Sequence, residues 1–166
     1  STLLQVRGGV GLNTRVGTAS FISSLTDRLG ESLRPHGGKL MRTLTEAARS
    51  ETSKSVRKSL AAACGSVAKW AAEKRVLALV EDAIRSYTDP GDIAARTFAA
   101  VMLQELARNA GDALKLHYAL VLPRAFVAQY DEDSDVAAIF QDVWESCTDS
   151  TSAALRLYIG DIVPII

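Results

Sequence analysis

The chain has 166 residues, 48% of them hydrophobic and 6% aromatic, and its 19 Lys and Arg balance 19 Asp and Glu. That length suits one domain with a sizeable core, and that apolar content excludes a disordered chain. Scarce aromatics beside abundant alanine and leucine favour packed helices over a β-sandwich, and no apolar run approaches the ~20 residues of a membrane span.

In chain order, residues 2–6 read as the tail of an earlier helix. The glycine-rich stretch 8–11 precedes a helix start, where backbone N–H groups can cradle an anion. No strand leads into it and no Gly-Lys-Ser/Thr follows, so it reads as an inter-repeat turn. A helix then opens at Asn13-Thr14-Arg15-Val16 and runs through Ala19, Ile22 and Leu25. Pro35-His36-Gly37-Gly38 reads as a turn. Residues 39–48 place Leu40, Met41, Leu44 and Ala47 on one helical stripe. After the polar turn 50–53, a third helix carries Val56, Leu60, Ala61, Cys64 and Val67, with Gly65 admitting a close neighbour. Arg57 there reads as a structural residue bonding to an adjacent repeat.

Residues 76–87 repeat the stripe with Val76, Leu77, Val80, Ile84 and Tyr87. The stretch 88–92 supplies a capping aspartate and Pro90, read as lying in the first helical turn. A helix through Ile93, Thr97, Val101 and Leu106 follows, then a longer, more apolar helix over 114–130 that contains His117 and Pro123. Past the acidic turn 131–134 lies a helix through Val136, Ile139, Phe140, Val143 and Trp144. The stretch 153–166 opens a further helix, with Pro164 inside it. A proline in an apolar run deletes a backbone hydrogen bond and bends a helix. Two such runs in corresponding positions favour a repeat array over a straight bundle.

Val16, Val56, Ile93 and Val136 are spaced by 40, 37 and 43 residues. A period of about 40 marks HEAT or armadillo units. The expected fold is an all-α superhelix of about four helical repeats: 1–30, 31–71, 72–109, 110–148 and the start of another at 149–166. The apolar ends lack the polar faces of terminal units, so the chain reads as an uncapped fragment of a longer array. No secretory leader is visible at Ser1. Residues 1–75 carry 13 basic against 5 acidic side chains and residues 76–166 carry 6 against 14. An elongated stack would keep these opposite surpluses apart.

No residue set points to catalysis. His36 and His117 have no nucleophile or acid beside them, and Cys64 and Cys147 are too far apart in sequence for a metal-ligand pattern. Both cysteines read as small buried hydrophobes in a reducing compartment. Asp131, Glu132, Asp133 and Asp135 lack the glycine and terminal glutamate of a calcium loop, and read as a solvated turn whose carboxylates favour a helix start. Lys54, Arg57, Lys58 and Lys69, with Arg42 and Arg49, form a basic group without aromatic interleaving, which argues against nucleic acid. Trp70 and Trp144 read as packing residues. The candidate partner-binding residues are Arg42, Arg49, Lys54, Lys58, Asp131, Glu132 and Asp133.

Four stretches in order carry a family resemblance. They are Arg7-Gly8-Gly9-Val10-Gly11-Leu12-Asn13-Thr14-Arg15 through Ala19-Ser20 to Ser24-Leu25; Leu33-Arg34-Pro35 with Gly38-Lys39-Leu40-Met41; Val121-Leu122-Pro123-Arg124-Ala125-Phe126; and Val143-Trp144-Glu145 with Leu155-Arg156-Leu157-Tyr158-Ile159. Together they resemble the large HEAT-repeat adaptor and scaffold family of the proteasome (the ECM type), within its C-terminal half. The resemblance implies a non-enzymatic protein-binding scaffold in cytoplasm and nucleus, with the proteasome as partner and no cofactor, small-molecule substrate, nucleic acid or membrane insertion. The alternative is a similar solenoid for another client, such as a nuclear transport receptor or a phosphatase scaffold.

Overall fold

A computed structural model describes residues 11–89 and 91–166. The expected helix tail at 2–6, most of the glycine-rich stretch and Pro90 lie outside them. Among the described residues there are helices and turns and no strand. The helices are α1 (Leu12–Leu29), α2 (Arg34–Ser50), α3 (Lys54–Ala68), α4 (Glu73–Tyr87), α5 (Ile93–Asn109), the single turn α6 (Asp112–Lys115), α7 (Tyr118–Ala128), α8 (Ser134–Cys147) and α9 (Thr151–Ile162). Short 3-10 turns follow α1 (Gly30–Leu33) and α9 (Val163–Ile165).

The caps explain the boundaries. Ser53, Asp92, Asp133 and Ser150 each turn a side-chain oxygen onto a backbone N–H of the following helix, satisfying a donor that has no partner within the helix. The helix α5 is capped by Asp92. Gly30 after α1 and Gly111 after α5 share one backbone conformation, with φ +52° and +57° and ψ near −130°. Side chains disfavour that region, so glycine ends both helices.

Two layers result. In one, α1 packs on α3, α3 on α5 and α5 on α8. In the other, α2, α4, α7 and α9 follow in turn. Each of α2, α4 and α7 packs closely on the helix that follows it in the first layer: α3, α5 and α8. Helices of the first layer, here termed the inner one, pack directly on one another in series, whereas in the outer layer α2 and α4 leave a groove of about 370 Å³ between them. Packing does not join α1 to α9 into a closed bundle. The chain is an all-α HEAT-like solenoid.

The closest approach is between α3 and α5. A Cβ added at Gly65 would stand 2.7 Å from the Glu105 carbonyl oxygen and 2.9 Å from Asn109 Cβ. The core around this seam includes Leu60, Ala61 and Cys64 of α3 and Phe98, Met102 and Leu106 of α5, all essentially inaccessible. Burial pushes the Cys64 thiol up to about 12, although a contact with the Thr45 hydroxyl acts the other way.

Four expectations change. The single helix over 114–130 is interrupted: α6 ends at Lys115 and α7 starts at Tyr118, with buried His117 at the join. The 35–38 stretch is helical, because the preceding 3-10 turn feeds directly into α2 with Pro35 in its first turn. Pro123 does sit inside α7, but Pro164 falls beyond α9 in the closing 3-10 turn. The acidic turn at 131 is partly buried, as described next.

Candidate protein-binding surface

The basic candidates belong to two faces. Arg42 and Arg49 lie on α2 and border the outer groove, with Arg75, Asp82 and Met41. Arg49 is already engaged: it donates to Asp82 at 2.6 Å and to the Ser86 hydroxyl at 2.7 Å, and its guanidinium lies 4.1 Å from the Phe98 ring centroid. Lys54 and Lys58 lie on α3 and face the inner layer.

Arg57, between them in sequence, does not project for a partner. It donates to the Ala48 carbonyl at 3.3 Å and to that of Glu51, tying α3 to the end of α2. The residue is structural, but its bonds stay within its own helix pair and do not reach the adjacent repeat expected from the sequence.

A recurrent clamp accounts for much of the acidic group. Arg15, Arg57 and Arg96 each stand four residues after the N-cap of an inner helix. Arg15 pairs with Glu51, whose other oxygen accepts the Ser53 N–H at 2.9 Å. Arg96 lies 3.6 Å from Asp131, whose other oxygen accepts the Asp133 N–H at 2.9 Å. Each clamp thus joins the start of one inner helix to the turn that opens the next. The Asp131 side chain is only 5% exposed and also accepts the Tyr87 hydroxyl at 2.9 Å. Burial first, then this carboxylate, pushes the Tyr87 phenol up to about 12. Asp131 is therefore a packing residue and not a solvated one. Glu132 is exposed but pairs with Arg96 at 3.0 Å, and Asp133 caps α8 through the N–H groups of Asp135 and Val136. Sequence reading missed the Arg15 and Arg96 clamps; the equal cap-to-arginine offset was the available signal.

What remains is a groove of about 610 Å³ on the inner layer. Its floor is one edge of α5, where Ile93, Thr97, Val101 and the buried Gln104 follow one another at helical spacing. Lys54 and Lys58 stand on the α3 side; Asp135 and Ile139 stand on the α8 side. Lys54 Nζ reaches Asp135 at 3.0 Å across α5, with side chains 85% and 72% exposed. Among the described residues no group of three or more His, Cys, Asp or Glu is placed to hold a metal ion, and no helix is long and apolar enough to cross a membrane. The groove offers apolar contact between walls of opposite charge.

Comparison with known proteins agrees with this architecture. Residues 2–88 match the family model described as the HEAT-repeat domain of the proteasome adapter and scaffold protein ECM29. The chain is 28% identical to the Homo sapiens protein named proteasome adapter and scaffold protein ECM29, over 96% of its own length and 9% of that protein's. It is 26% identical to the Drosophila melanogaster proteasome-associated protein ECM29 homolog, covering 96% of the chain and 8% of the relative. It is 23% identical to the Saccharomyces cerevisiae proteasome component ECM29, covering 96% and 9%. The chain thus spans under a tenth of the relatives it matches. No solved structure matches it. With more than half its residues matched by that model, the chain belongs to the HEAT-repeat family of the proteasome adapter and scaffold protein ECM29.

Proposed function

We propose that this chain is a protein-docking stretch of a proteasome adapter and scaffold, acting by binding and not by catalysis, in cytoplasm and nucleus. The observation that carries the reading is likeness along 96% of the chain to relatives named for the proteasome. Stacked helix pairs support it physically, because they present long, regular side surfaces whose residues are free of core duty. The pairs α2–α3, α4–α5 and α7–α8 support dividing the chain into the units 31–71, 72–109 and 110–148.

Co-purification tests the reading. The full-length protein, tagged and isolated under mild salt, is expected to bring proteasome subunits with it well above a control bait. Recovery of a transport cargo or a phosphatase catalytic subunit in their place would redirect it to a different client.

A further inference from the structure

We infer that the inner groove seats a three-turn amphipathic helix of the partner, with acidic residues along its α3-facing edge and basic residues along its α8-facing edge. This rests on the docking reading above and specifies its site.

The floor sets the length. From Ile93 to Gln104 is eleven residue steps along α5, about 16 Å at 1.5 Å per step. The open surface of the groove is mainly apolar: Ile93 is 45% exposed, and Val101 on the floor and Ile139 on the α8 wall are half-buried, with Thr97 the polar residue between them. Apolar anchors at helical spacing on the occupant match such a ridge.

The walls set the secondary structure. They are helices, whose backbone N–H and C=O groups are already paired along most of their length. An extended segment laid between them would find no ladder for its own backbone groups, whereas a helix brings them satisfied.

The charges set the orientation. Lys58 is exposed and enters no ion pair among the described residues. The Lys54–Asp135 pair is so exposed that its loss costs little, about 0–1 kcal/mol. An entering helix therefore parts Lys54 from Asp135 readily and offers each an opposite charge. The outer groove fits the role less well. It is smaller, and its Arg49 and Asp82 already satisfy one another.

The test uses the full-length protein with a photo-crosslinking residue in place of Thr97, mixed with purified proteasomes, the linked peptide being identified by mass spectrometry. The inference expects capture of a helical segment with an acidic edge. Lys58→Glu should lower the yield roughly tenfold through like-charge repulsion, and Lys39→Glu, at an exposed position of the outer layer, should leave it unchanged. Replacing the facing acidic residue of the captured segment by lysine should restore the yield in Lys58→Glu, which a merely misfolded variant would not allow. Continued co-purification without a crosslink at position 97, or equal yields with and without Lys58→Glu, overturns the groove assignment alone. Loss of co-purification in the unmodified protein overturns the docking reading and this with it.

Discussion

At residue scale, two glycines hold their places for different reasons. Gly65 is required by its surroundings, since a methyl group would collide with the backbone of α5. Gly65→Ala is expected to destabilise the chain by ~1–3 kcal/mol, as overpacking does, seen as a lower denaturant midpoint. A methyl group added at Gly111 would meet nothing within 4 Å, yet the φ there is +57°. Gly111→Ala should also cost ~1–3 kcal/mol, entirely as backbone strain, so neighbouring truncations should not relieve it. Cys64 gives a pH prediction. Its thiol sits at 9.0 when unfolded and at about 12 when buried, so its contribution to stability is complete below pH 9 and is lost as pH rises toward 12. Tyr87, raised from 10.0 to about 12, adds in the same direction. Thermal melts from pH 8 to 11 should show a falling midpoint. A maleimide at pH 8 should label half-buried Cys147 slowly in the native chain, since burial raises its thiol too, and Cys64 only after unfolding.

At element scale, the two ion-pair types separate by burial. Removing Arg96 leaves Asp131 buried without its cation, and Arg96→Met should cost ~1–3 kcal/mol. Asp131→Asn should cost less, because the amide oxygen can still accept from the Asp133 N–H while the amide nitrogen can donate to the Tyr87 hydroxyl. Lys54→Ala should lie within about 1 kcal/mol of the parent; a double-mutant cycle read by chemical denaturation measures these differences. Most helices were legible in the sequence because their apolar positions recur at three and four residues, and Gly65 and Arg57 were legible because their types have few uses in such a helix. The break at His117 was not, since the apolar pattern of 114–130 runs on across it and only the backbone departs. Asp131 read as solvated because its neighbours Glu132 and Asp135 are; what buries it is Tyr87 and Arg96, distant in sequence. The same limit hid the split of the basic group, for Arg49 and Lys54 are five positions apart yet face opposite layers.

At the scale of the whole molecule, the contacts are between neighbours, so stability varies along the stack. The helices α3 and α5 each bury eight residues, while α9 buries only Ile162. In the 166-residue chain, amide hydrogen exchange should be slowest in α3 and α5 and fastest in α9; uniform protection would contradict the stack-like reading. The Lys54–Asp135 contact has a mechanical consequence. It spans two joints of the inner layer at once, yet it is held with little more than thermal energy, while both joints beneath it are closed by buried contacts, Gly65 against α5 and Arg96 against Asp131. The pair is therefore a loose latch over hinges already shut. Salt that screens it opens the latch and leaves the hinges closed.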